Sequence, residues 1–454
     1  MRPAAEAEKL GIPSVVVTTT GFTAIAKAAG KAQGVTGLRV AEYPGAVGVH
    51  NEALVEKNVA TVLIDRIVSE LTVPRREKNT DDEDASASER RPDAIVYEGT
   101  FDEINDYFRE QLWSDELPMV PPTPARVAAF LQHTRRAPDE QIAILPQANL
   151  AATPRNIAAN GVMAGCKPMM MPVLIAAVEA LADNRYNLNN IGSTWGVLPF
   201  LLINGPAAKQ LGIENGAQLV NKGANPSLGR ALGLIIKNIA GYKLSRNYMG
   251  TFGYPMNFVI AENEAETPWE PFHVEHGFNK TDNTVTACGT VTWGWAPAIY
   301  GTEEKSAAQS ALEFLSIEVT KKPCLARLVE RGANGFQNMI TFMIAPLVAK
   351  ALAAAGYTKQ KIRDYVYEHA RVQRRELEFL IEFGHSEAFK FPDMVERGLL
   401  PENYLVEATE LVCVLPSADV INIVVCGDPD RNRLMVLWGG YIKPVAKKFE
   451  LRDA

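Results

Sequence analysis

Residues 74–92, PRREKNTDDEDASASERRP, contain no aromatic residue and no Val, Leu, Ile or Met. Such a stretch cannot bury enough apolar surface to offset the entropy of ordering it, so it reads as a flexible charged linker spanning 74–93. It cuts the chain into unequal parts and forbids one continuous core. A length of 454 residues already favours roughly two or three domains.

Before the linker, residues 3–10 read as a helix closed by Gly11, and Ser14–Thr18 as a strand set off by Pro13. Ala24–Gln33 reads as a helix ending at Gly34, Leu38–Ala41 as a second strand and Glu52–Leu71 as a further helix. Strands alternating with helices are the pattern of a parallel α/β unit. Two strands make an incomplete sheet, which another part of the chain or another subunit is expected to complete.

After the linker, a short strand is expected at Ala94–Tyr97, and helices at Asp102–Gln111 and Ala125–Gln132. Cys166 follows, in IAANGVMAGCKPMMMPVLIAA. Pro168 and Pro172 forbid one helix through this stretch, so the thiol is expected at a break between helices Ile157–Met163 and Val173–Leu181. A helix start near Pro168, with Lys167 beside it, would favour the thiolate. A small buried cysteine packing against Met169–Met171 is the other reading.

Pro199–Asn204 reads as an apolar strand ending at Asn204, and GANPSLGRALGLIIKN places Asn225 and Ser227 before a helix carrying Arg230 in its first turn. Free amides and a guanidinium there suit a carboxylate or phosphate; a capped helix with an ion-paired arginine fits equally. The stretch ENEAETPWEPFHVEHGF, after a strand at Asn257–Ala261, holds Glu262, Glu264, His273 and His276 among further carboxylates. Such groups can act as general acids and bases or as ligands of a divalent metal, and a solvated acidic loop is the plain alternative. Trp269 and Phe272 favour an ordered loop.

Thr284–Trp295 alternates as a strand. From about residue 306 the chain reads as helical pieces and a strand, a helix at Ile344–Ala355, one long charged helix capped by Thr358 through Phe383, and strands Val420–Cys426 and Leu434–Leu437. The expected fold class is α/β: an incomplete N-terminal parallel unit (1–73), the linker (74–93), a larger α/β or α+β domain (94–305) carrying the candidate site, and a C-terminal helical and α/β region (306–454) forming a small cap.

The net charge of −7 and the lack of a basic stripe with interleaved aromatics give no reason to expect nucleic acid as a partner. Cys166, Cys288, Cys324, Cys413 and Cys426 are scattered without a CxxC pair, which fits a reducing cytoplasm. No apolar run reaches the roughly 18 residues of a membrane helix, and the first residues lack the pattern of a signal peptide.

The segment EAEKLGIPSVVVTTTGFTAIAKA resembles the later part of the UGSC family of selenoproteins and their cysteine homologues, in which a Sec/Cys-Gly-Ser-Cys motif precedes a similar helix and strand. ELPMVPPTPARV, IAANGVMAGCKP, INGP, SLGRALGLIIKN, AENEAETPWEPFHVEHGF and GYTKQKIRDYVYEHAR are similar to bacterial proteins of poorly defined function found with, or fused to, UGSC-type domains. That resemblance marks His273, rather than His276, as the functional histidine. No Gly-Ser-Cys triplet occurs in this chain, and residues 1–73 contain no cysteine. The chemistry of that motif would then belong to a partner subunit, or the first unit would serve assembly alone.

Three functions are expected from these residues. The first is an enzyme acting on a small polar or anionic molecule, with Cys166 as nucleophile or redox thiol, His273 with Glu262 or Glu264 as acid and base, and Asn204, Asn225, Ser227 and Arg230 binding substrate. The second is a lyase or hydrolase whose divalent metal sits on Glu262, Glu264 and His273. The third is a non-catalytic subunit docking on a protein that carries the UGSC motif; a homo-oligomer is the other partner state expected, and it would count against that third function.

Overall fold

The computed structural model describes residues 2–72, 93–321, 339–382 and 391–452, apart from 33, 36, 48–49, 193–195, 245–246, 254–255, 399 and 441. Cys324 and all but the last residue of the expected linker lie outside the described residues.

The N-terminal unit follows the expected alternation. Strands β1 (Val15–Thr19) and β2 (Arg39–Tyr43) pair in parallel, Val15 opposite Arg39 and Thr19 opposite Tyr43. Helices Arg2–Lys9 and Thr23–Ala32 cover one face, burying Ala5, Val16, Ala26 and Leu38. A helical run from Glu52 to Thr72, with a π segment at Val59–Leu63, covers the other over Ala41, Tyr43 and Leu63. Arg39 and Glu8, both largely buried, tie the first helix to β2 at 2.5 Å. Among the described residues this sheet has two strands, and Val17 on β1 is 51% exposed.

The expected strand at 94–97 does not form. The chain there has no regular secondary structure, and Tyr97 stacks on Tyr107 of the helix Phe101–Glu110 with ring centroids 4.6 Å apart. After the helix Pro124–Leu131 comes a hairpin of β3 (Ala143–Leu145) and β4 (Leu150–Ala152), then helices Pro154–Met163 and Met171–Ala182.

Two sheets make the centre of the main body. In the first, β5 (Leu198–Asn204) lies between β6 (Phe258–Ala261), parallel to it, and β7 (Asn283–Thr290), antiparallel to it. In the second, β8 (Ile340–Ile344) is the central strand. A small antiparallel pair, β9 (Arg371–Gln373) with β10 (Leu411–Cys413), stands apart from it. Strand β11 (Ile421–Val425) flanks β8 in parallel and β12 (Leu434–Trp438) flanks it antiparallel, so these sequence neighbours are separated by β8.

Side chains alternate across a strand, and that alternation sorts the core into layers. Leu201, Ile203, Val259, Ala261, Val285 and Ala287 face the helices around Met171–Ala182 and Asn225–Asn238. Phe200, Leu202, Phe258 and Ile260 face the opposite way and pack with Met343, Val424 and Leu437 of the second sheet. Phe342, Ile344, Ile423 and Val436 then face helices Ala307–Thr320, Pro346–Ala354 and Lys359–His369. The order is helices, sheet, sheet, helices.

Three expectations change. β7 ends at Thr290, whose hydroxyl bonds the carbonyls of Thr292 and Trp438, so the strand does not run to Trp295. The long charged helix stops at His369. Val414 N donates to Ala370 O, and Arg371–Gln373 is taken up as β9 with Val372 buried, before a new helix at Arg374–Glu382; tertiary pairing overrides helical periodicity here. Finally, the C-terminal region forms more than a cap. It supplies the second sheet, and its last strand, β13 (Val445–Phe449), returns to the first sheet beside β7, with Val445 opposite Ala287. Among the described residues no helix is long and apolar enough to cross a membrane.

Candidate functional site

Cys166 stands at the expected helix break. Thr153 and Asn156 form a capping box with Pro154 at the first helical position, and Gly165, at φ 80°, ends the helix so that Cys166 N reaches Gly161 O at 3.0 Å. Pro168 opens a short 3-10 turn before the next helix. The thiol itself is 8% exposed, among the side chains of the helical layer. Burial pushes it up to about 12, against a smaller opposing hydrogen bond with Ser227, while Lys167 lies exposed at the surface. Of the two readings, desolvation favours the buried, neutral cysteine over the activated thiolate.

The expected anion clamp is filled from within. Arg230 forks onto both oxygens of Asp115 at 2.8 Å and also donates to the carbonyls of Leu117 and Pro118. Asn225 is the first residue of its helix, is fully buried, and exchanges hydrogen bonds with the backbone of Glu214 while donating to Val259 O at 3.0 Å. Ser227 Oγ donates to Ala224 O at 3.0 Å. These groups lie on the helix side of the first sheet and bind the protein to itself.

A different arrangement forms at the end of the layer between the sheets. Asn204 closes β5 on the face that carries Phe200 and Leu202, opposite Thr284 of β7, and Glu262 follows β6 with its amide on Ile203 O at 3.1 Å. Asn204 Nδ2 donates to Glu262 Oε2 at 2.6 Å and to Glu264 Oε1 at 3.0 Å, and Gly205 N donates to Glu264 Oε1 at 2.7 Å. Phe272 N donates to Glu262 Oε2 at 2.6 Å, which anchors the one-turn helix Phe272–Glu275 and buries His273 completely. His273 Nδ1 is 3.8 Å from Glu264 Oε1. The acidic stretch thus buries Glu262, Phe272 and His273 while Glu270 and Glu275 stay exposed; His276 stacks on Phe272 and sets its Nδ1 2.7 Å from Phe272 O.

Lys359, at the start of the helix after Thr358, completes the group. It donates to Glu270 O and Glu275 Oε2, both at 2.8 Å, and its ammonium is 3.8 Å from Glu262 Oε1. Burial raises the pKa of Glu262 above the usual carboxylate range, opposed by the Lys359 charge and by the hydrogen bonds from Phe272 and Asn204. The most telling feature is what stays unpaired. Asn204 Oδ1, Glu262 Oε1, both ring nitrogens of His273, and the hydroxyls of Thr284 and Thr286 are buried without a hydrogen-bond partner among the described residues.

Four of the expected site residues, Asn204, Glu262, Glu264 and His273, therefore come together, and Cys166, Asn225, Ser227 and Arg230 do not join them. Thr284, Thr286 and Lys359 were missed. The alternation of NTVTACGT places both threonines on one face, a usable signal, but nothing in KQKIRDYVYEH marks its first lysine as buried. Cys288, Cys413 and Cys426 are free and buried like Cys166. Among the described residues no group of three or more His, Cys, Asp or Glu side chains is arranged to hold a metal ion.

Fold and cluster together define a layered α/β protein with a buried carboxylate–imidazole site. Residues 1–73 match the model of the UGSC family. No curated protein and no solved structure gives a significant match to the chain.

Proposed function

We propose that the protein is an enzyme performing acid–base chemistry on a small polar or anionic molecule at the inter-sheet cluster. One observation carries this reading: six buried polar atoms on β5, on β7 and in the segment after β6 lack hydrogen-bond partners among the described residues, whereas nearly all such atoms in folded proteins are paired. A guest with several donors and acceptors would satisfy them. Glu262, its proton affinity raised by burial, can hold a proton at a pH where exposed carboxylates are ionised. His273 is the second proton carrier, with Glu264 3.8 Å from its Nδ1, and Asn204 links the two carboxylates. Cys166 has no part here, since it lies on the other face of the first sheet. The buried, free cysteines support a reducing, cytoplasmic location.

The test is a panel of small hydroxy-, oxo- and amino-acids followed by NMR in deuterated buffer, scoring turnover and solvent-proton exchange. Wild type is expected to act on at least one, and Glu262→Gln and His273→Asn to lose about 100-fold or more with near-UV circular dichroism unchanged. Activity surviving in both folded variants would refute the reading.

Residues 1–73 support a second, separate role in assembly. Parallel sheets covered by helices on both faces are ordinarily wider than two strands, and β1 keeps Val17 exposed. A strand from another copy, or from a UGSC-type partner subunit, would complete the sheet. Native mass spectrometry is expected to reveal an oligomer that Val17→Lys weakens; a monomer at micromolar concentration would count against the homo-oligomer.

A further inference from the structure

The parallel neighbours β8 and β11 end side by side and their chains then diverge, one into the helix Pro346–Ala354 and the other into a turn at Gly427, φ 94°. A crevice outside the carboxyl ends of parallel strands is where open α/β sheets take their ligands. Here it is a cavity of about 360 Å³, within the range of small-molecule sites. None of the groups assigned above to acid–base chemistry lines it.

Its lining has two characters. Met343, Met435 and Leu219 belong to the inter-sheet core and make an apolar floor with Cys426. Trp293 forms a wall, 53% exposed and held edge-on against Phe258 at 5.3 Å. Against this stand Arg431 and Arg433. Arg433 Nη1 donates to Ala296 O at 3.1 Å, and Arg431 reaches Asp428 only at 3.7 Å, its side chain 67% exposed. Among the described lining residues Asp428 is the one carboxylate beside two arginines, so the lining carries a net positive charge. A further wall residue, Gln218, has φ 57°, a left-handed conformation that non-glycine residues keep mainly where surrounding structure imposes it.

We propose that this cavity binds a small aromatic carboxylate, its ring between Trp293 and the thioethers of Met343 and Met435 and its carboxylate on Arg431 and Arg433. Ring stacking on indole and contact with thioether sulfur favour an aromatic body, and a guanidinium fork favours a planar anion over a neutral amide.

The probe is phenylacetate, titrated into full-length protein labelled with 13C at the methionine methyls, with phenylacetamide as neutral isostere and acetate as anion without a ring. The methyl signals of Met343 and Met435, assigned through Met343→Leu and Met435→Leu, are expected to shift with phenylacetate. Its affinity should exceed that of either control about tenfold. Arg431→Gln, a change at an exposed side chain, should remove about threefold of that advantage and leave phenylacetamide unchanged. Silence of both methyls up to about 10 mM phenylacetate, or equal affinity for acid and amide, overturns the proposal.

Discussion

The ammonium of Lys359 and Glu262 Oε1 stand 3.8 Å apart, with side chains 4% and 0% exposed. The separation is too long for a hydrogen bond, so the two buried groups act on each other through space. Removing one member of such a pair strands the other. Lys359→Met is therefore expected to cost about 3 kcal/mol in urea unfolding, and to raise the Glu262 pKa further, because Lys359 is the largest influence holding it down. Carboxyl infrared or NMR titration reads the second effect.

Stability should carry the mark of Glu262 in its pH dependence. Its folded-state pKa lies above the unfolded one, so between the two values the native protein binds more protons than the unfolded chain. This contribution is fully present below the unfolded carboxylate value and is lost as pH rises through the folded one. Glu262→Gln should flatten that part of the curve. Denaturant midpoints across pH, compared between the two proteins, measure it, and parallel curves would contradict the assignment.

Cys166 should behave as core. With its thiol up at about 12, alkylation by iodoacetamide near pH 8 should run well below the rate of a free cysteine, as peptide mass spectrometry would record. Cys166→Ala should cost about 1 kcal/mol and leave activity intact.

The filled clamp at Arg230 makes a gain-of-binding prediction. Asp115 now satisfies the guanidinium bidentately, so phosphate should not raise the Tm of the wild type through this site. Asp115→Ala should cost about 1–2 kcal/mol and acquire a phosphate-dependent rise in Tm, visible by calorimetry.

Much of this architecture is legible in the residues themselves. Pro168 and Pro172 force the break at Cys166, and the apolar runs at Pro199–Asn204 and Val420–Cys426 mark buried strands. Local pattern cannot reveal partners from distant sequence. The charged run after Thr358 has helical spacing throughout, and only pairing with Leu411–Cys413 turns its middle into a strand. The site divides the same way. A dense group of glutamates and histidines beside Trp269 and Phe272 announces itself, whereas the inward turn of Lys359 depends on Glu275, Glu270 and Glu262 meeting it. At Cys166 and Arg230 the sequence leaves two readings open, because neither burial nor an internal counter-ion such as Asp115 leaves a trace in a motif.

The return of β13 to β7 also orders events in time. Strand β7 pairs with β5 on one side and with β13 on the other, yet the whole second sheet is encoded between β7 and β13. On the ribosome the first sheet keeps one raw edge until that intervening segment has emerged. The nascent chain therefore carries an aggregation-prone flank from the completion of β7 at Thr290 until β13 is made at Val445–Phe449, a load that falls on chaperones rather than on the finished molecule.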